Sequence, residues 1–454
     1  MPQQARARIP LASADAAWLH MDEPTNPMVI TVALIMEQPV SMNQLRDLIE
    51  QRLLNFARFR QRVDSWRGGS PHWEDDPNFM IEAHLHHVGL PGAGDDAALR
   101  ELISGMVNMP LDPTRPLWQF YLVDHYGTGC VLVLRVHHCL ADGVTLVHVF
   151  NALMDQPLAA STEADSPTDP MTATFDAITA AIRSTEQIIR QGWSWASHPE
   201  RVLGLLGSGA AVLGKLALMG PDAPSIFKGK LGMVKQASWT EPVTLEQIKA
   251  IGKVTGGTVN DVILTAVAGA LRRYMTERAA PISLRGMRAM VPVNLLPPEA
   301  KSDSGNHFGL VYVTLPVGID DPIERMAQLR REMDAIKASP EAYVAFGVIN
   351  LLGSVPVDVE HSLRDLLCSM ASMIVTNVPG PRTANSLAGV TIKRAMFWVP
   401  KSGPIGLGIS ILSYAGSVQV GILADMSLVP DPERMAEAFD LEFAELVELT
   451  SIEA

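Results

Sequence analysis

The sequence predicts an α+β protein built as two lobes with a helical connector between them. Three observations predict it. Helical periodicity and β-rich runs are mixed in both halves without strict alternation, so neither half reads as a βαβ array. The stretch "QPLAASTEADSPTDPMT" (156–172) is rich in Ser, Thr, Asp and Pro, the composition of a linker. Hydrophobic residues make up 47% of the 454 positions and charged residues 19%, ample for large cores. The boundaries that follow are 1–157 for the first lobe, 158–233 for linker and connector helices, and 234–454 for the second lobe.

In the first lobe, "SMNQLRDLIEQRLLNFARFRQRV" opens on a Ser or Asn cap. It sets Leu45, Leu48, Ile49, Leu53 and Phe56 at helical spacing. "HWEDDPNFMIEAHLHHVGLP" reads as loop and strand, and "DDAALRELISGMVNMPLD" as an amphipathic helix. "LWQFYLVDHYGTGCVLVLRVHH" reads as two strands turning around Gly127 and Gly129. After Asp142 the chain turns helical, with Leu146, Phe150, Leu153 and Met154 on one face. Helical segments run from Thr174 to about Gly220, and "GPDAPSIFKGKLG" reads as an exposed connector. The second lobe begins near Val234. It offers a helix with Leu245, Ile248 and Ile251, then the helix "NDVILTAVAGALRRYM". Strand-like runs follow at "MRAMVPVNL", "FGLVYVTLPV", "SMIVTNVPGP" and "GLGISILSYAGSVQVGIL".

Composition removes several function classes. A net charge of −13 argues against general nucleic-acid binding, which needs a basic footprint. Three cysteines are too few and scattered for a disulfide framework or a Cys-rich zinc site, and a reducing cytosol is the simplest compartment. Twenty-two Met against six Tyr suit adaptable apolar surfaces, core or channel. The N-terminus lacks the apolar core of a signal peptide. "VLGLLGSGAAVLGKLALMG" (Val202 to Gly220) could just span a bilayer, but its glycines and Lys215 favour a buried or interfacial helix. "GAAVLGKL" (Gly209 to Leu216) fails as a phosphate loop at Leu216, where Ser or Thr should hold magnesium. No G-x-S-x-G elbow is present.

The chemistry concentrates in "RVHHCLADGVTL" (Arg135 to Leu146). "GCVLVLRVHH" is a buried-strand pattern, so side chains alternate faces along it. His138 then shares a face with Leu132, Leu134 and Val136. His137 shares the other with Val131, Val133 and Arg135. The two histidines therefore cannot do the same job. Asp142 has the chemistry to cap the next helix or pair with an arginine. Gly143 leaves open space beside the strand end. An imidazole with one nitrogen facing a cavity can take a proton from a bound hydroxyl. A metal held by His137, His138 and Asp142 is disfavoured, because adjacent strand histidines diverge. In "HLHHV", His84 and His86 could share a face for a metal, but a solvated strand face is the simpler expectation.

His137-His138-x-x-x-Asp142-Gly143 matches the HHxxxDG signature of the CoA-dependent acyltransferase superfamily. "RPLW" (Arg115 to Trp118), "NDVIL" (Asn260 to Leu264), "VPVNL" (Val291 to Leu295), "GNHFG" (Gly305 to Gly309) and "NVPGP" (Asn377 to Pro381) occur in order. With the opening "MDEPTNPM" (Met21 to Met28), they resemble the bacterial wax ester synthase / acyl-CoA:diacylglycerol acyltransferase family over nearly the whole chain. The resemblance implies two chloramphenicol-acetyltransferase-like lobes, each a mixed sheet with packed helices, and an active site in a tunnel between them. It implies that His138 is the general base for a fatty alcohol or diacylglycerol hydroxyl attacking a long-chain acyl-CoA. Wax ester or triacylglycerol would result. His137 and Asp142 would hold the geometry. Gly143, Asn260 and Trp118 are substrate-binding candidates, although Asn260-Asp261 could simply cap a helix and Trp118 could be core. No metal and no cofactor are expected, acyl-CoA being a substrate. The expected setting is cytoplasmic, peripheral to membrane or lipid droplets. Two rivals remain: a condensation-type acyltransferase using carrier-protein thioesters, and a non-catalytic lipid-binding or droplet protein.

Overall fold

The computed structural model describes residues 9–64, 71–140, 143–156, 220–294, 308–337 and 357–452. The first half supplies β1 (Ile9–Pro10), α1 (Ser13–His20), β2 (Val29–Met36), α2 (Met42–Gln51), β3 (Gln61–Asp64), β4 (His72–Asp75), β5 (Leu85–Gly89), α3 (Asp96–Val107), β6 (Trp118–Tyr126), β7 (Gly129–His137) and α4 (Gly143–Leu153). The second half supplies β8 (Lys235–Trp239), β9 (Val243–Thr244), α5 (Leu245–Thr255), α6 (Val259–Glu277), β10 (Met287–Asn294), β11 (Phe308–Leu315), α7 (Pro322–Lys337), α8 (Val357–Ser369), β12 (Met373–Pro379), β13 (Ser386–Leu387), β14 (Val390–Trp398), β15 (Leu407–Tyr414), β16 (Ser417–Asp425) and α9 (Pro432–Ile452). Of the connector expected over 158–233, residues 158–219, with most of the apolar run and the phosphate-loop-like stretch, lie outside the described residues; in 220–233, read as exposed, Asp222 and Phe227 are buried, Phe227 in the core of the second lobe.

Two mixed sheets organise the molecule, as the α+β expectation required. The first runs β13-β14-β2-β7-β6-β5, and the second β11-β10-β12-β15-β16-β8 with β9 on β16. Strands β2 and β7 are buried at every position because apolar layers cover both faces. Leu132, Leu134 and Val136 enter one core, Val131 and Val133 the other. In the second lobe, α5, α6, α7 and α9 cover one face of the sheet. Local caps fix the helix starts: Ser41 and Gln44 form a capping box on α2, Thr244 and Gln247 on α5.

The division at residue 234 does not follow the sheets. β14 leaves the second half of the chain and pairs antiparallel with β2, Trp398 opposite Thr31 and Phe397 opposite Val32. On its way it crosses the second sheet at close range. A Cβ on Gly421 would stand 2.5 Å from the Phe397 carbonyl oxygen, so only glycine fits there. The open edge of β8 is covered by α3: Asn108 and Ser104 bond to the backbone N–H and C=O groups of Lys235 and Ala237. The two lobes thus share one seam.

Two further expectations change. The helix of "SMNQLRDLIEQRLLNFARFRQRV" ends at Gln51; two 3₁₀ turns follow, and Gln61 already begins β3. His84 is not on a solvated face. It is buried, bonds through Nδ1 to the Trp118 carbonyl at 2.7 Å and stacks on the Trp118 ring. Among the described residues, no single helix is long and apolar enough to cross a membrane. The pair α5 and α6 passes only jointly, bent by 93°, and both helices bury apolar residues in the second core.

Candidate active site

The site forms where β7 ends and the chain turns. His137 closes the strand, its N–H donating to the Leu117 carbonyl. His138 stands in the turn, its N–H donating to the Met28 carbonyl at 2.8 Å. Leu140 N–H then returns to the His137 carbonyl. The alternation expected along β7 holds for Val131 to Val136, but the strand ends at His137, so His138 lies in the turn and takes its surroundings from there.

The His137 ring is 2% exposed. Its Nδ1 accepts the Cys139 backbone N–H at 3.1 Å, so Nδ1 acts as the acceptor and the ring proton belongs on Nε2. Nε2 faces Asp22 Oδ1 at 3.8 Å, and that same oxygen accepts the Met28 N–H at 2.7 Å. The bond from Cys139 ties the His137 ring to the backbone of the turn. His138 is half-buried, and its ring stacks on Trp18 with centroids 3.9 Å apart and planes inclined by 25°.

The segment from α1 to Met28 forms a cradle for both histidines. Trp18 lies against the His138 ring, Asp22 faces His137, and Met28 holds the His138 backbone. Composition gives no reason to single out Trp18 or Asp22. The stretch "SADAAWLH" mixes small, apolar and polar residues without a clear helical face, and "MDEPTNPM" is visible only as a resemblance. The cradle also touches the second lobe. Ala17, Met21 and Met28 share an apolar cluster with Met290, Tyr312, Leu367 and Ile405, and Trp18 packs against it. His20 Nδ1 meets Glu360 Oε2 at 2.9 Å, and Arg364 meets Glu23 at 2.8 Å. Burial raises the Glu360 carboxyl above its ordinary range, with His20 opposing the shift.

The other predicted residues fall in different places. Gly143 begins α4; Asp142 lies outside the described residues. Trp118 is 0% exposed, and its indole N–H donates to the Phe59 carbonyl at 2.9 Å. It therefore packs in the core, with no open surface for a substrate. The neighbouring Leu117 carbonyl is the group of "RPLW" that reaches the site, through His137. Thr258 caps α6, and Asp261, not Asn260, completes the capping box with it. Asn260 is left to accept from Asn377 Nδ2 at 3.2 Å, which joins "NDVIL" to "NVPGP". Asn377 shares a face of β12 with Met373 and Val375, the face that α6 covers. Among the described residues, no group of three or more His, Cys, Asp or Glu could hold a metal.

One buried charge stands apart. Lys401 is 1% exposed and forms no ion pair among the described residues, while neighbouring Lys235 and Asp425 pair with each other. Burial, with Lys235 adding to it, lowers the Lys401 ammonium to about 7.

Two family models match this chain. The wax ester synthase/diacylglycerol acyltransferase catalytic domain covers residues 11–263, and the WS/DGAT C-terminal domain covers 304–447. The chain belongs to this family. A Mycobacterium tuberculosis protein named as a probable diacylglycerol O-acyltransferase is 25% identical over 97% of this chain and 96% of its own length. The wax ester synthase/diacylglycerol acyltransferase from Marinobacter aquaeolei superposes with a TM-score of 0.69 at 20% identity, over 97% of this chain and 100% of that one. The first condensation domain of the calcium-dependent antibiotic synthetase superposes at 0.62 with 15% identity, over 98% and 97%; at these identities both structural likenesses are ones of fold, and the family models carry the activity. This WS/DGAT chain is an acyltransferase, and its reaction is acyl transfer to form wax ester or triacylglycerol.

Proposed function

We propose that this chain moves a long-chain acyl group from acyl-CoA to the hydroxyl of a fatty alcohol or diacylglycerol, with His138 as general base. The observation that carries the reading is the His138 imidazole. It is half-buried at the end of a wholly buried strand, beside the apolar cluster that joins the lobes. The acceptor O–H gives its proton to an imidazole nitrogen as the oxygen attacks the thioester carbonyl carbon. A C–O bond forms, and the carbonyl electron pair moves onto oxygen. Collapse of this tetrahedral oxyanion breaks the C–S bond, and the departing CoA thiolate takes the proton back from the imidazolium. The acceptor oxygen is itself the nucleophile, so no acyl-enzyme is needed. Acyl-CoA is consumed as a substrate, and the reaction calls for no cofactor or metal.

His137 supports the turn, and Asp142 is assigned an orienting role by the signature it completes. Gly143 leaves room for the acceptor at the start of α4, and Asn260 lines the passage from the second lobe. We assign the enzyme to the cytoplasm, at the surface of a membrane or lipid droplet, because both substrates carry long apolar chains.

Thiol release from palmitoyl-CoA with hexadecanol or dioleoylglycerol as acceptor tests the reading. One CoA per ester formed is expected. Activity confined to a carrier-protein thioester would move the chain to condensation-type chemistry, and liposome binding without CoA release would make it a lipid-binding protein.

A further inference from the structure

We propose that Trp18 is a positioning residue for His138, fixing the plane of its ring and stabilising the positive charge that ring acquires. The inference rests on His138 as general base. The two rings stack at 3.9 Å between centroids, inclined by 25°. The His138 backbone is tied to the Met28 carbonyl, and the indole face limits rotation of the imidazole.

The indole can act as a stop because it is itself held. Its neighbours Ala17 and Met21 are buried in the inter-lobe cluster, and Trp18 packs against both that cluster and the first-lobe core. His20, two residues on, is paired with Glu360 of α8, and Glu23 with Arg364. The platform under the base is therefore anchored to both lobes.

The stack also changes along the reaction. Before proton transfer the imidazole is neutral; afterwards it is a cation lying on an electron-rich ring face, which attracts positive charge. The contact is stronger in the transition state than in the ground state, so its loss is expressed in kcat and not in KM. A tryptophan that merely filled the core would act on folding, and its loss would be independent of His138.

A double-mutant cycle separates these roles. Trp18→Leu is expected to lower kcat by about tenfold with KM within about twofold, and Trp18→Phe, which keeps a ring face, to stay within about threefold of wild type. In the His138→Ala background, Trp18→Leu is expected to cause no further loss. The same fold loss in both backgrounds, or a loss confined to KM, would overturn the inference and leave the base assignment standing. Wild-type turnover in His138→Ala alone would instead remove the base assignment, and this inference with it. Should Trp18→Leu fail to fold, Trp18→Met against Trp18→Phe keeps the comparison: equal kcat in the two would overturn the role of the ring.

Discussion

His137 and Cys139 close a small ring of their own: the Cys139 backbone N–H donates to His137 Nδ1 at 3.1 Å, within a site where His137 is 2% exposed. On the proposed mechanism the bond separates the roles of the two histidines. His137 spends a nitrogen on the backbone and shapes the turn, which leaves His138 at the lobe junction.

The division predicts different outcomes for two substitutions at 137. An asparagine carbonyl can reach the Cys139 N–H, so His137→Asn should keep a measurable fraction of turnover. His137→Ala leaves that buried donor unsatisfied, at a cost of about 1–3 kcal/mol. Thermal melts alongside CoA-release rates check this. A folded His137→Ala protein with wild-type stability and no activity would reverse the assignment of the two rings.

At the start of α6 the cap and the candidate passage residue are adjacent and separable. Thr258→Ala breaks the capping box and should cost about 1 kcal/mol of stability with little change in turnover. Asn260→Ala removes the acceptor for Asn377 without touching the cap, and should lower turnover with long-chain acceptors while the melting temperature barely moves. Acceptor chain-length series on the two variants provide the comparison; a melting loss in Asn260→Ala equal to that of Thr258→Ala would make Asn260 structural.

Lys401 should make the seam between the lobes pH-sensitive. Its ammonium lies at about 7 in the fold against 10.5 ordinarily, so the unfolded chain binds more protons between these values. Stability from this group is therefore complete near and above pH 10.5, falls as pH drops toward 7, and is flat below that. Lys401→Met should raise the melting temperature by several degrees at pH 6 and by less at pH 9. A gain independent of pH would mean that the amine is solvated.

Much of this architecture is legible in local pattern. β7 announces itself as a run of Val and Leu whose alternation separates two cores, and the mixed character of both halves agrees with two mixed sheets; that the strand stops at His137 and leaves His138 in the turn has no mark in the pattern. β14 is not legible, because its partner β2 lies near the opposite end of the chain and pairing at that distance leaves no periodic mark. Trp118 reads as a candidate because it stands in a motif; burial removes it, and the motif's backbone does the work at the site. Trp18 escapes for the opposite reason. A short helix that mixes Ala with Asp15, Trp18, Leu19 and His20 shows no apolar face, and only the fold reveals that one of its side chains lies on the His138 ring.

Steady-state CoA release by purified His138→Ala, with palmitoyl-CoA and hexadecanol and with folding checked by circular dichroism, tests whether the His138 imidazole is the base. A fall of about a hundredfold or more in kcat is expected, with the fold intact. A folded variant that turns over at the wild-type rate would contradict that assignment.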